Sequence, residues 1–201
     1  MIIRGCWSEV VDGLWVGAFV SKRESQAILP RLREALALIK ERDPYRYKRV
    51  LRHFDTILVL PMPNQGECVP DLRRCVVNKE LAETGAIDAI ASVIVHEATH
   101  GELFRRGIGY QEAARQRVED ICTRQELAFA KKLTREEVTR EHAAWKLDLP
   151  EDSWSDQAML YRDIEWLRQQ GWPNWLLKAI LVLRKWRDNR ALLRRHVGGG
   201  R

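Results

Sequence analysis

Long apolar runs, paired cysteines and internal repeats are all missing from this 201-residue chain. No stretch approaches the roughly 18 uninterrupted apolar residues of a membrane span, so a transmembrane helix is not expected. The opening residues, Met1 to Glu9, reach acids at Glu9 and Asp12 before any apolar core develops, unlike a secretory leader. The four cysteines, Cys6, Cys68, Cys75 and Cys122, contain no C-x-x-C pair. They read as reduced thiols rather than a disulfide framework, and the expected location is cytoplasmic. Histidine is scarce as well, with five in the chain.

Two of those five enclose a glutamate in the run Val93-Ile94-Val95-His96-Glu97-Ala98-Thr99-His100. With 5 His and 17 Glu in 201 residues, about 0.01 random H-E-x-x-H matches are expected, so coincidence is a weak explanation. On a helix, residues four apart stack on one face, where two imidazoles can grip one metal ion. Glu97 lies about 100° round from His96, close enough to serve a water without ligating the metal. The apolar run from Ala86 to Val95 predicts a helix over 85–105, buried nearly all round and ending near Gly107. Ile87, Ile90, Ile94, Ala98 and Gly101 fall on the side opposite the histidines, which are expected to face a cleft.

A catalytic zinc site takes three protein ligands and leaves a fourth position for water. Arg106 stands six residues after His100, so a third histidine at that spacing is excluded. The acids downstream are Glu112, Glu119, Asp120 and Glu126, on a second helix expected over 111–133. Glu119 shares a partly apolar stripe with Cys122, Phe129 and Leu133, although Arg115 also falls on that side; Asp120 points with Arg124 and Lys131 to a polar face. A lone carboxylate in such a setting is costly and a metal offsets that cost, which favours Glu119. Glu112 is the runner-up, and Glu126 is a group that could orient a ligand.

His96-Glu97-x-x-His100, followed by 18 residues and Glu119, resembles the gluzincin clan of zinc metallopeptidases, in particular its compact single-domain members. The resemblance covers about residues 55–133. It implies Zn²⁺ held by His96, His100 and Glu119, Glu97 as general base, and a small sheet whose edge strand binds an extended peptide or protein substrate. It would set residues 75–78 and Arg73-Arg74 near the cleft. Two departures stand out: Thr123 occupies the position where the clan usually carries a supporting acid, and the exopeptidase stretch G-x-M-E-N is absent. The oxyanion donor of such enzymes is a Tyr or His beyond the metal helices, and Tyr110, His142 and Tyr161 are the candidates.

The remaining sequence supplies a scaffold. Glu24 to Glu41 has an amphipathic helical pattern, Pro44 opens a short helix to about Phe54, and Thr56–Leu60 and Cys75–Asn78 read as strands flanking a turn-rich stretch. His53, beside a strand, is read as structural. After 133, helices are expected from Thr134 toward Lys146, over Ser155–Gln170, and from Trp172-Pro173 to about Arg195, with a tail over 197–201. This added helical layer, 134–196, carries six of the eight tryptophans, which are expected to be buried over the metal domain. The expected architecture is therefore α+β and mainly helical, one zincin-like domain over 1–201. The net charge is +6, much of it between Arg184 and Arg195. Nucleic-acid binding through that basic helix ranks below a solvated face, since no binding motif accompanies the charge. A zinc-binding regulatory module without hydrolysis is the alternative to a peptidase.

Overall fold

The computed structural model describes residues 6–133, 143–144, 146–179 and 181–182. By internal contacts the chain divides into two compact units, Met1–Ser155 and Asp156–Arg201, each taken by itself below. The fold class is α+β, mainly helical, with a small mixed sheet.

The chain enters through a hairpin, β1 (Cys6–Val11) and β2 (Leu14–Phe19), paired antiparallel. Asp12 and Gly13 both have positive φ, 48° and 88°, the geometry of a type I′ turn that suits the twist of a two-residue hairpin. Helix α1 (Lys22–Arg42) follows, opened by a capping box in which Ser21 and Glu24 each satisfy the other's backbone N–H. Pro30 sits inside α1 without ending it. Asp43 caps α2 (Pro44–His53), and its buried carboxylate pairs with Arg46 and, at 2.8 Å, with Lys132.

Strand β3 (Thr56–Leu60) lies parallel to β2, and β5 (Arg74–Asn78) lies parallel to β3. The residues between them, expected to be only turn, form β4 (Gly66–Val69), antiparallel to β5. The sheet order β1-β2-β3-β5-β4 makes β4 an edge strand and β5 an interior one. Asn78 caps α3 (Lys79–Thr84), a short helix that the sequence pattern did not announce. The metal-motif helix α4 (Ile87–Arg105) and α5 (Glu112–Ala130) then pack against each other.

One face of the sheet builds the core. Val16, Ile57 and Cys75 lie in register across β2, β3 and β5, as do Ala18, Val59 and Val77 from β2 to β5. They pack with Ile28, Leu32, Leu36 and Ile39 of α1 and with Ile90, Ile94 and Ala98 of α4. Burying side chains of this size contributes about 1.5–3 kcal/mol each. Thus α4 is clamped between sheet and helices, and every residue from Ile90 to Thr99 is buried.

In the second unit, α6 (Asp156–Gln169) ends before Gly171, whose φ of 81° makes it a natural stop. Residues 174–179 are helical, and the basic stretch beyond 182 lies outside the described residues, as do 134–142, where the added layer is expected to begin. The expectation of buried tryptophans is not met where it can be read. Trp172 and Trp175 are exposed, while Trp154 (first unit) and Trp166 are half-buried. Trp145 and Trp186 lie outside the described residues.

Candidate metal centre

Helix α4 presents His96 and His100 one turn apart, and α5 lays Glu119, Cys122 and Glu126 along the facing stripe at i, i+3 and i+7. The stripe predicted for Glu119 is therefore the buried face of α5, and Arg115, Cys122 and Phe129 share it. Asp120 is half-buried and hydrogen-bonded to Gln116, while Arg124 and Lys131 are exposed. Glu112, the runner-up ligand, is exposed on the first turn.

Three donors converge. His96 Nε2 stands 3.2 Å from His100 Nε2 and 3.2 Å from Glu119 Oε2, and His100 Nε2 stands 3.5 Å from Glu119 Oε1. Zinc bonds to nitrogen and carboxylate oxygen of about 2.0–2.1 Å place tetrahedral neighbours about 3.3–3.4 Å apart. Each of these separations is thus of the size that such an ion requires, with the two from Glu119 made by different oxygens. A second grouping overlaps it: one nitrogen of each histidine and the Cys122 sulfur all lie within 4.8 Å of one another. Glu119 meets the two histidines through two oxygens, Oε2 toward His96 and Oε1 toward His100, whereas the single sulfur of Cys122 converges on both.

The surrounding groups fix this arrangement. Glu126 Oε2 lies 3.1 Å from His96 Nδ1, which holds the ring with Nε2 toward the other donors. Lys146 Nζ pairs with the same Glu126 oxygen at 3.2 Å. Tyr110, on the loop between α4 and α5, donates its hydroxyl hydrogen bond to Glu119 Oε1 and meets the His100 ring edge-on at 5.3 Å. The Arg115 guanidinium lies over the Tyr110 ring at 5.0 Å. Of the three candidate oxyanion donors, Tyr110 is therefore at the cluster. His142 lies outside the described residues, and Tyr161 is exposed in the second unit.

Glu97 is buried, on the side of α4 that faces β4. A side chain at Gly66 would place its Cβ 2.9 Å from Glu97 Oε1 and 2.5 Å from Val93 Cγ1, so only glycine lets the edge strand come this close. It is β4 that adjoins the cluster, and Arg73 instead pairs with Asp55 at 2.7 Å. His96, expected to face a cleft, is buried; His100 is half-buried beside exposed Tyr110, which marks the solvent side.

Electrostatics reflect the crowding of acids. Burial raises the Glu97 pKa to about 7. Burial works the same way on Glu119, but hydrogen bonding to His96 and the charges of both histidines hold it to about 2. Glu126 is likewise held to about 2, by His96 and Lys146 against its burial. Burial pulls His96 down, yet Glu119, Glu126 and Glu97 more than reverse this and raise it to about 10. His100, buried beside that charged ring, falls to about 4. Burial pushes the Cys122 thiol up.

Reading the sequence alone passed over Gly66, Cys68 and Lys146. Cys68 faces Cys75 across the β4–β5 pair, and its thiol is raised by burial and by the Glu97 charge. A glycine beside a turn gave no local sign of its role, because the helix that needs the gap lies about thirty residues away in sequence. The spacing of Glu119, Cys122 and Glu126 was the one available signal that α5 carries a row of donors rather than one. Comparison with known proteins found no matching family model, no matching curated protein and no matching solved structure.

Proposed function

We propose that the chain is a zinc-dependent metallopeptidase of gluzincin type, acting on a peptide or protein. The observation that carries this reading is the triangle of His96, His100 and Glu119 at 3.2–3.5 Å, with Glu97 buried beside it. Two imidazoles and one carboxylate suit zinc and leave a position open. The ion would polarise a substrate carbonyl and acidify a water at that position. Glu97 takes the proton of the attacking water and hands it to the leaving amine. Glu126 keeps His96 in the tautomer and orientation that ligation needs. Tyr110, on the exposed side of His100, would donate its hydroxyl to the oxyanion on giving up its hydrogen bond to Glu119. Edge strand β4 offers backbone groups to an extended peptide, by strand addition.

A second reading, a zinc-binding regulatory module without hydrolysis, has the nearness of Cys122 in its favour, since a fourth protein donor closes a zinc site. Hydrolysis of a peptide library by the zinc-loaded protein separates the two. Glu97→Gln is expected to lower turnover by about 10²–10⁴-fold with zinc content unchanged. Turnover equal to the parent's would remove Glu97 from the base role. Full zinc occupancy with no peptide cleaved would favour the regulatory module.

A further inference from the structure

Two acids on the buried stripe of α5 have partners in the donor cluster. Glu119 belongs to the donor triangle, and Glu126 holds His96 by Nδ1. Cys122, between them in the stripe, is fully buried, and one side of it touches the small apolar cluster of Leu103 and Val118. Its sulfur also converges on the histidine nitrogens, within 4.8 Å, which packing among apolar neighbours does not require. With bonds of about 2.0 Å to nitrogen and about 2.3 Å to sulfur, tetrahedral N and S neighbours stand about 3.5 Å apart. The sulfur therefore has at most about 1.3 Å to close, a shift of the size that a change in one side-chain torsion supplies.

We propose that Cys122 is a protein donor of this metal centre, completing a His96–His100–Glu119–Cys122 set that closes the position otherwise left to water. This rests on the metal reading above and adds its regulation: the four-donor state is latent, and displacing the thiolate opens the site. On ligation the Cys122 S–H bond breaks, the proton leaves to solvent, and a sulfur lone pair forms the metal bond; no electron changes hands. A thiolate in the set also biases the site toward thiophilic cations such as zinc or cobalt and away from magnesium or calcium. Cys68 and Cys75 are the internal control, being thiols of the same region that lie outside the converging group.

Cobalt(II) titration of the full chain under reducing conditions tests this without reference to activity. The parent is expected to show visible cobalt bands together with an intense near-ultraviolet thiolate-to-cobalt band. Cys122→Ser and Cys122→Ala should each lose the near-ultraviolet band and keep the visible ones, while Cys68→Ser keeps both. Visible bands without the near-ultraviolet band in the parent would overturn the Cys122 assignment and leave the metal reading standing. A near-ultraviolet band that survives in both Cys122 variants would overturn it equally. Absence of all cobalt bands would overturn the metal reading itself, and this inference with it.

Discussion

His53 and His96 are both buried, and each places a ring nitrogen against a buried glutamate: His53 against Glu102 at 2.7 Å, His96 against Glu119 at 3.2 Å. Both clusters use α4, with His96 and Glu102 nearly two turns apart. Their surroundings differ. Glu102 also accepts from Arg105 at 3.0 Å and Arg106 at 2.7 Å, so two guanidiniums answer one carboxylate. The cluster at His96 holds Glu97, Glu119 and Glu126, with Lys146 as its nearby lysine. Two like charges about 4 Å apart repel by about 4 kcal/mol at the effective dielectric of a protein. The first cluster sets two guanidiniums against one carboxylate, whereas the second sets one lysine, paired with Glu126 at 3.2 Å, against three acids. Buried histidines alone do not distinguish the two clusters; the balance of charge around them does.

Breaking each cluster in turn should separate the two roles. The largest effect is expected from His100→Ala, which should abolish stoichiometric zinc binding in equilibrium dialysis, while His53→Ala leaves it intact. Retained zinc in the first variant would dissolve the contrast. Next in size, Glu126→Gln should weaken zinc affinity by about 10–100-fold, because the group that orients a ligating histidine is lost. Glu102→Gln should leave that affinity unchanged, and an equal loss in both would assign Glu126 a merely structural role.

The reverse ordering holds for stability. His53→Ala leaves a buried carboxylate short of one partner, at a cost of about 1–3 kcal/mol read from urea unfolding of the metal-free protein. Acid titration gives the smallest and most specific contrast. Arg105, His53 and Arg106 outweigh the burial of Glu102 and hold its pKa to about 2, below the ordinary 4.5. Its stabilisation is therefore complete above about pH 4.5 and is lost as pH falls toward 2. Burial holds His53 below its ordinary 6.5, so the folded state binds fewer protons there too, and stability again falls with falling pH. Glu102→Gln should flatten the decline between pH 4.5 and 2; an unchanged slope would mean that Glu102 is not part of it.

How much of this was legible in advance depended on the range of the cause. The motif helix was expected over 85–105 and spans Ile87–Arg105, because an apolar run of that length reports its own burial. The phase of α5 was legible for the same reason, and with it the burial of Glu119 beside Cys122. Strand β3 matched its Thr56–Leu60 run. The hairpin at Asp12-Gly13 carried a local turn signal that was passed over, and β4 carried none. Gly66 and Cys68 take their importance from a helix distant in sequence, so no local pattern could express it. His53 was expected to be structural, and its partner Glu102 could be found only once α2 lay against α4.

The central claim is that the acids around His96 and His100 are answered by a metal ion held with Glu119. Metal content of the purified, zinc-equilibrated protein, measured beside Glu119→Ala, tests it most directly. One zinc per chain is expected in the parent and a sharp loss in the variant, with both proteins folded. A parent that binds no zinc under controlled loading, or a variant that binds it as tightly as the parent, would contradict it.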